Sequence, residues 1–404
     1  MYKVGIIGAG VGGSYLSHLL SKEGVDNIVF DFRAPHEKLC GGGVSYKTIA
    51  RFPILNELSC LKKTIWKTNF ISPKDRMIKV ELEKPITIFN RRDLDYSLLK
   101  KSMESSAHFR KEKVHAFTLE GGHWRISTEN GDYKTEILVG ADGALSRTRR
   151  KLRVQSMKGD YCFALECFLD VQEDSVTYKF FPDLEGYLWA FPRVDSLAIG
   201  IASKHRKRKN YKVMKERLLR FIERYYPGMS KTISVRGAYI PFFSAKDIQD
   251  MPICSRNWAL IGDAASFVEP ISGEGIYYAI YSAEILAQCI LEKELALYQQ
   301  LCMKHFGKNL VKASQVFKYF YQAEFMEIMI QMAEVSLSAR RIISGMISGS
   351  LDYLSWKSRF RKEFFKILGD FIFNADITIK KEIVTNLFKL SPKYYGLFSR
   401  NKIS

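Results

Sequence analysis

Residues of the kind that handle phosphate open the chain. Gly8-Ala9-Gly10-Val11-Gly12-Gly13 follows the G-x-G-x-x-G spacing, and Asp31 comes 21 residues after Gly10. That spacing serves to hold a dinucleotide. Gly8 permits a tight turn, Gly10 lets backbone approach a pyrophosphate, and Gly13 lets a helix lie close on a strand. N–H groups at the start of the helix favour negative charge, and Asp31 can accept hydrogen bonds from ribose hydroxyls. Two further pairs, Asp142-Gly143 and Gly262-Asp263, sit where strands run into turns. Cys40 is a thiol followed by Gly41, Gly42 and Gly43. In Gly186-Tyr187-Leu188-Trp189-Ala190-Phe191-Pro192 the aromatics alternate, so on a strand Tyr187, Trp189 and Phe191 share one face as an aromatic wall.

These groups need particular elements behind them. The apolar run from Lys3 to Ile7 suits a strand buried on both faces of a parallel sheet. A helical pattern follows through Leu16, Leu19 and Leu20, closed by Gly24, and a second strand from Asn27 to Phe32 delivers Asp31. Gly273-Glu274-Gly275-Ile276 reads as a helix start beyond the strand that ends at Gly262-Asp263. Past residue 301, Phe317, Tyr321, Ile328, Met332 and Val335 fall mostly at helical spacing. So do Trp356, Phe360, Phe364, Phe365 and Leu368, flanked by Lys357, Arg359, Arg361, Lys362 and Lys366. The expected class is α/β: a Rossmann-type domain, an inserted and mainly antiparallel β-sheet substrate domain, and a helical C-terminal region. The expected divisions are 1–60, 88–160 and 250–300 for the first, 61–87 and 161–249 for the second, and 301–404 for the third.

Composition narrows the function classes. With 47% apolar and 26% charged residues in 404, the chain has the make-up of a globular protein with a sizeable core. Seven cysteines, odd in number and without a CxxC pair, argue against a disulfide framework, a zinc site or an iron–sulfur cluster, so no metal is expected. The formal charge of +19 calls for something anionic. It concentrates in Lys204-His205-Arg206-Lys207-Arg208-Lys209 and from residue 301 onward, where 17 Lys/Arg face 8 Asp/Glu. No nucleic-acid motif accompanies it, so nucleic acid is not an expected partner. Basic residues beside aromatics on an amphipathic helix suit docking on an anionic membrane surface, and core packing accounts for the same apolar stripe. Without a signal-peptide layout or a membrane-spanning run, the expected location is the cytoplasm, with peripheral membrane association as the added reading.

Taken in order, the GxGxxG, Asp142-Gly143 and Gly262-Asp263 segments resemble the flavoprotein superfamily of aromatic hydroxylases, flavin halogenases and geranylgeranyl reductases. Asn90-Arg91-Arg92-Asp93-Leu94-Asp95 matches that superfamily's Arg-x-x-[apolar]-Asp element. The resemblance implies bound FAD. It implies Asp263 at the ribityl or pyrophosphate part, the helix start at Gly275 and Ile276 aimed at the flavin ring, and Arg91, or else Arg92, on the flavin side. The full set expected at the cofactor is Gly8, Gly10, Gly12, Gly13, Asp31, Cys40, Gly41, Gly43, Arg91, Val114, Asp142, Gly143, Asp263, Gly275 and Ile276. No second GxGxxG follows a strand, so a dedicated NAD(P)H domain is not expected. Lys38-Leu39-Cys40-Gly41-Gly42 resembles the Lys-Pro-Cys-Gly-Gly element of geranylgeranyl reductases, with Leu39 in place of proline, and the aromatic segment resembles their Tyr-x-Trp-x-Phe-Pro motif. It also resembles the halogenase motif Gly-Trp-x-Trp-x-Ile-Pro, with Tyr187 and Phe191 as departures. The likeness to geranylgeranyl reductases implies an FAD-dependent reductase that saturates carbon–carbon double bonds of geranylgeranyl chains in archaeal-type lipids or their diphosphate precursors. Ferredoxin or NAD(P)H would supply electrons, Cys40 and Tyr187 would donate or position the proton, and Tyr187, Trp189 and Phe191 would line the prenyl chain. A flavin monooxygenase or halogenase, and a non-catalytic prenyl-binding module, stand as alternatives on the same scaffold.

Overall fold

The computed structural model describes residues 1–152, 161–204, 209–231 and 233–390. His205 to Arg208 of the basic run therefore lie outside the described residues. Two sheets carry the architecture. In the first, Tyr2–Ile7 lies between Asn27–Phe30 and Gly131–Gly140 and is parallel to both. His108–Arg110 and Trp258–Leu260 add parallel partners on the two sides, and Val114–Glu120, His123–Thr128 and Gly131–Gly140 form an antiparallel meander. All four residues of Asn27–Phe30 are buried, as a strand covered on both faces requires. Helix Val11–Lys22 packs between helices Arg91–Glu104 and Ile276–Leu291. Their contact is apolar, through Leu16, Leu20, Leu94, Leu98, Ile280 and Leu286.

The second sheet has eight strands. Its order is Arg236–Pro241, Tyr161–Leu169, Leu197–Lys204, Gly186–Pro192, Ser175–Phe180, Lys62–Ile71, Met77–Phe89 and Gly43–Val44. All neighbours are antiparallel except Ser175–Phe180 with Lys62–Ile71. Gly43–Val44 departs from the division read in the sequence. It follows the glycine loop of the Rossmann part yet pairs with the end of Met77–Phe89, so the loop is tied to the second sheet by backbone hydrogen bonds. Along Gly186–Pro192 the two faces part as a strand of period two demands. Leu188 and Ala190 join the cluster containing Met214, Leu218 and Ile222 of helix Lys209–Tyr225, while Trp189 and Phe191 join a cluster on the opposite face.

Five helices follow: Lys308–Phe320, Ala323–Val335, Leu337–Ile347, Trp356–Asn374 and Ile377–Lys389. The first three close over the second sheet, where Phe317, Met326, Ile330 and Ile343 meet Phe70, Ile78 and Phe180. On Trp356–Asn374 the expected apolar stripe is divided: Trp356 and Phe360 are half-buried, with Phe360 against the core, and its later residues turn outward. Ile367 is buried, whereas Phe364, Phe365 and Leu368 are exposed. No helix among the described residues is long and apolar enough to cross a membrane.

Close packing at the first turn makes Gly13 a sharp test of this fold. A Cβ there would stand 2.0 Å from the Gly8 carbonyl oxygen, a backbone atom that cannot swing away. Gly13→Ala is expected to destabilise the protein by about 2–3 kcal/mol, read as a lower urea midpoint. An unchanged midpoint would mean that helix and strand do not approach this closely.

Candidate active site

A cavity of about 380 Å3 runs between the sheets, within the roughly 300–1,000 Å3 usual for small-ligand sites. One end is made of turns and helix starts. Gly10, Val11 and Gly12 open helix Val11–Lys22, and Gly275 and Ile276 open helix Ile276–Leu291. Neither helix has a side-chain cap, so the backbone N–H groups of both first turns are offered to whatever occupies this end. Glycines here fall into two sorts. Gly8 (φ +112°) and Gly13 are packed, since a Cβ on Gly8 would lie 2.3 Å from the Ala141 carbonyl oxygen. Gly143 (φ +79°) has nothing within 4 Å, and Gly10 has only an Asp95 carboxylate oxygen at 4.0 Å. Packed glycines build the turn and open ones leave room for a ligand against the backbone, which is the cradle a dinucleotide such as FAD requires.

Other expected cofactor residues take differing positions. Asp31 follows strand Asn27–Phe30 and accepts from the Ala9 and Arg33 N–H groups at 3.1 and 2.9 Å, which fixes its carboxylate beside the glycine turn. Asp263 lines the cavity and pairs with Lys38 at 2.9 Å. Arg91 lines it too, whereas Arg92 is exposed to solvent. Two more residues, like Gly8, Gly13 and Asp31, do not line the cavity. Asp142 accepts from Ser146 Oγ and from the Thr148 N–H and hydroxyl, so its carboxylate is occupied in holding the turn before helix Arg147–Lys151. Val114 opens an edge strand and packs in the cluster of Ile28 and Phe30.

The cysteine loop crosses the middle of the cavity. Gly42 N–H points at Cys40 Sγ at 3.4 Å. Arg91 is 3% exposed and forks onto Asp95 at 2.9–3.2 Å. Burial opposes its charge, but Asp95 and the Cys40 sulfur outweigh that cost and hold the guanidinium charged. The loop's glycines serve packing more directly than the sequence suggests. A Cβ on Gly41 or Gly43 would lie 2.5 or 2.6 Å from the Phe191 ring, and one on Gly42 (φ +78°) 2.0 Å from the Phe89 carbonyl oxygen. Below the loop, Glu166 accepts from Cys40 N–H at 3.1 Å, and Arg193 bridges the Cys40 carbonyl at 3.0 Å and Glu37 at 2.8 Å. Glu166 is fully buried and Arg193 is 3% exposed.

Beyond the loop stands the aromatic wall. Tyr187, Trp189 and Phe191 all line the cavity, and Tyr178 meets both Tyr187 and Phe191 at ring-centroid distances of 5.5–5.7 Å. The Tyr187 hydroxyl donates to the Ser272 carbonyl, and burial pushes its pKa far above the ordinary phenol value. Buried Glu269 also reaches the cavity, accepting from Ile271 N–H at 2.9 Å and contacting the Tyr353 hydroxyl at 3.4 Å. Burial raises its pKa, against the pull of the Ser272 and Ile271 donors. The far end is apolar, built from Met326, Met329, Ile330, Ile343, Met346 and Ile347.

Three residues at or beside this site, Glu166, Glu269 and Arg149, are given no role by the sequence, although Arg149 ends the segment of Asp142-Gly143 and Glu269 lies in that of Gly262-Asp263. Arg149, 1% exposed, donates to the Ala264 carbonyl at 2.8 Å and the Ala144 carbonyl at 2.9 Å, joining the turn after Asp142 to the turn after Asp263.

Glu166 gives the site a pH signature. Burial pushes its carboxyl up to about 7, against Arg193, the Cys40 N–H and the Trp189 indole. The folded chain thus holds this proton more tightly than the unfolded chain. Its contribution to stability is complete below the ordinary carboxyl range and is lost as pH rises through about 7, with a slope of at most about 1.4 kcal/mol per pH unit. Glu166→Gln keeps an acceptor for Cys40 N–H and removes the titration. Urea midpoints between pH 5 and 8 should therefore decline for the parent relative to the variant, and parallel curves would refute the assignment.

The family described as FAD binding domain matches residues 1–215. An uncharacterized protein of Methanosarcina barkeri is 30% identical over 79% of this chain and 84% of its own. The chloroplastic geranylgeranyl diphosphate reductase of Nicotiana tabacum is 25% identical over 78% of this chain and 70% of its own. In fold, the chain superposes on a geranylgeranyl bacteriochlorophyll reductase-like protein from Thermoplasma acidophilum with a TM-score of 0.70, at 19% identity over 92% of this chain and 98% of that one. The halogenase PltM, solved with phloroglucinol and FAD, shares the fold at a TM-score of 0.61 and 15% identity, over 98% of each chain. With its uncapped helix starts and open glycines, the chain belongs to the FAD binding domain family, as an FAD-dependent oxidoreductase whose relatives include geranylgeranyl reductases.

Proposed function

We propose that this protein reduces carbon–carbon double bonds in a geranylgeranyl chain carried by an isoprenoid lipid or its diphosphate precursor. One observation carries the reading: the dinucleotide cradle, the Cys40 loop, the aromatic wall and an apolar end lined from the C-terminal helices all face one continuous cavity. An isolated prenyl double bond is unpolarised, so the reaction needs exclusion of water, alignment and a placed proton more than it needs a nucleophile. Held at the uncapped first turns of helices Val11–Lys22 and Ile276–Leu291, FAD reduced by a donor such as ferredoxin or NAD(P)H would supply the hydride chemistry.

The chain's own residues do the rest. Met326, Ile330, Ile343 and Met346 offer an apolar channel for the tail. The faces of Trp189 and Phe191 stabilise the positive character that grows on the carbon receiving the hydride as its neighbour is protonated. Cys40 is the proton donor in this reading because its sulfur lies on the cavity, between Gly42 N–H and the Arg91 guanidinium. Tyr187 takes the positioning role, because its proton is engaged by the Ser272 carbonyl and its pKa is pushed far up. Glu269 with Tyr353 is a reserve of protons on the same cavity. Flavin monooxygenases and halogenases share the scaffold, and an oxygen requirement separates them from this reading.

The test is an anaerobic incubation of the dithionite-reduced holoprotein with geranylgeranyl diphosphate and with an unsaturated archaeal-type phospholipid. Mass gains of two hydrogens per bond are expected. Cys40→Ala should slow the reaction about 100-fold with the flavin absorbance intact, and Tyr187→Phe should cost tenfold or less, to order of magnitude. Ile343→Trp, which fills the apolar end, should raise KM for the geranylgeranyl chain and spare a farnesyl chain. No anaerobic gain in mass, together with oxygen-dependent modification of an aromatic compound, would replace this reading with the monooxygenase one.

A further inference from the structure

The last two helices turn an unusual face to solvent. On Trp356–Asn374 and Ile377–Lys389, Phe365 is 80% exposed, Phe373 86%, Ile377 71% and Phe388 85%, with Leu368 and Ile372 between them at 37% and 51%. Such side chains are normally buried, and this many exposed on two successive helices marks a surface that another apolar body covers. Charge on the two helices is divided by direction. The acids are engaged with the body of the protein or with the helices' own caps. Glu363 accepts from Ser338, Asp370 from Ser336, and Glu382 pairs with Arg76, while Asp376 caps its own helix through Ile379 N–H. Arg361, Lys362, Lys381 and Lys389 are exposed and make no ion pair among the described residues.

Aromatic and aliphatic side chains that project into solvent, bordered by cations and with the acids engaged by partners of the chain itself, match the chemistry of an anionic bilayer surface. We propose that these two helices dock the protein on such a surface, with Phe365, Phe373 and Phe388 inserted among the acyl chains and the cations at the headgroups. The placement has a consequence for the cavity. Trp356–Asn374 packs on Leu337–Ile347, and Ile377–Lys389 packs on Ala323–Val335. The inner sides of those two underlying helices supply Met326, Met329, Ile343 and Met346 to the apolar end. A single helix layer therefore separates the two docking helices from the cavity. The inference stands on the surface itself and is independent of the reaction.

The test is flotation of the full-length holoprotein with vesicles of phosphatidylglycerol and phosphatidylcholine, against vesicles of phosphatidylcholine alone. The parent should float with the anionic vesicles and be released by high salt, which screens the headgroup attraction. Phe365→Ser, Phe373→Ser and Phe388→Ser together should lower partitioning at least about tenfold, with the urea midpoint and flavin absorbance of the parent retained. Arg361→Gln with Lys381→Gln should weaken binding to the anionic vesicles about fivefold per cation removed and leave the midpoint unchanged. Equal flotation of parent and serine variant, or a parent that stays in solution with every vesicle, would overturn the proposal. So would a concentration-dependent dimer that the serine substitutions abolish while no vesicle is bound, which would give the face to a second copy of the chain.

Discussion

The ring of Phe191 occupies the space that side chains at positions 41 and 43 would need, and the meeting of the two sheets depends on that contact. The glycine loop leaves the Rossmann sheet, crosses the ring, and enters the second sheet as Gly43–Val44. Were the loop bulkier it would be lifted off the aromatic wall, and the turns would no longer share a cavity with the apolar end. Packing density leaves little tolerance here, because a backbone carbonyl and a ring edge cannot yield as a flexible side chain can. The glycines are thus a steric requirement of the protein itself as well as a means for a cofactor to come near.

Charge beneath the loop reinforces this geometry. Arg193 and Glu166 hold the two polar backbone groups of Cys40 from below. Arg91 and Asp95 form a second buried pair beside its sulfur, and Arg149 binds the carbonyls of two turns. Buried charges of this kind contribute little net stability, since desolvation offsets much of the attraction, but they penalise any arrangement that leaves one partner alone. They favour one loop conformation over its neighbours.

Much of this was legible in the chain. The strand–turn–helix around Gly8 to Gly13 follows from glycines at fixed offsets, and the aromatic wall follows from a period of two in Gly186–Pro192. Less legible were residues whose role is set by partners distant in sequence. Glu166 is a single acid inside the apolar strand Tyr161–Leu169, which is itself a signal, but nothing nearby points to Cys40. Arg149 stands in the basic stretch Arg147-Thr148-Arg149-Arg150, and composition alone does not separate the buried guanidinium from its solvated neighbours. Asp142 shows the converse: the residue is where the pattern puts it, but its carboxylate is taken up by Ser146 and Thr148. In helix Trp356–Asn374 spacing marked apolar residues but not their division between the core, at Phe360, and solvent, at Phe364, Phe365 and Leu368, because amphipathic periodicity does not say which side the rest of the protein lies on.

The alternation along Gly186–Pro192 has a bearing on how such a protein diversifies. Leu188 and Ala190 belong to the mass packed under helix Lys209–Tyr225, and their partners fix their size. Tyr187, Trp189 and Phe191 look into open volume. Phe191 and Trp189 are held to their size by Gly41, Gly43 and Gly200, so it is at Tyr187 that a lineage can rewrite the lumen, trading bulk for reach or ring for chain, while the foundation under the strand stays untouched.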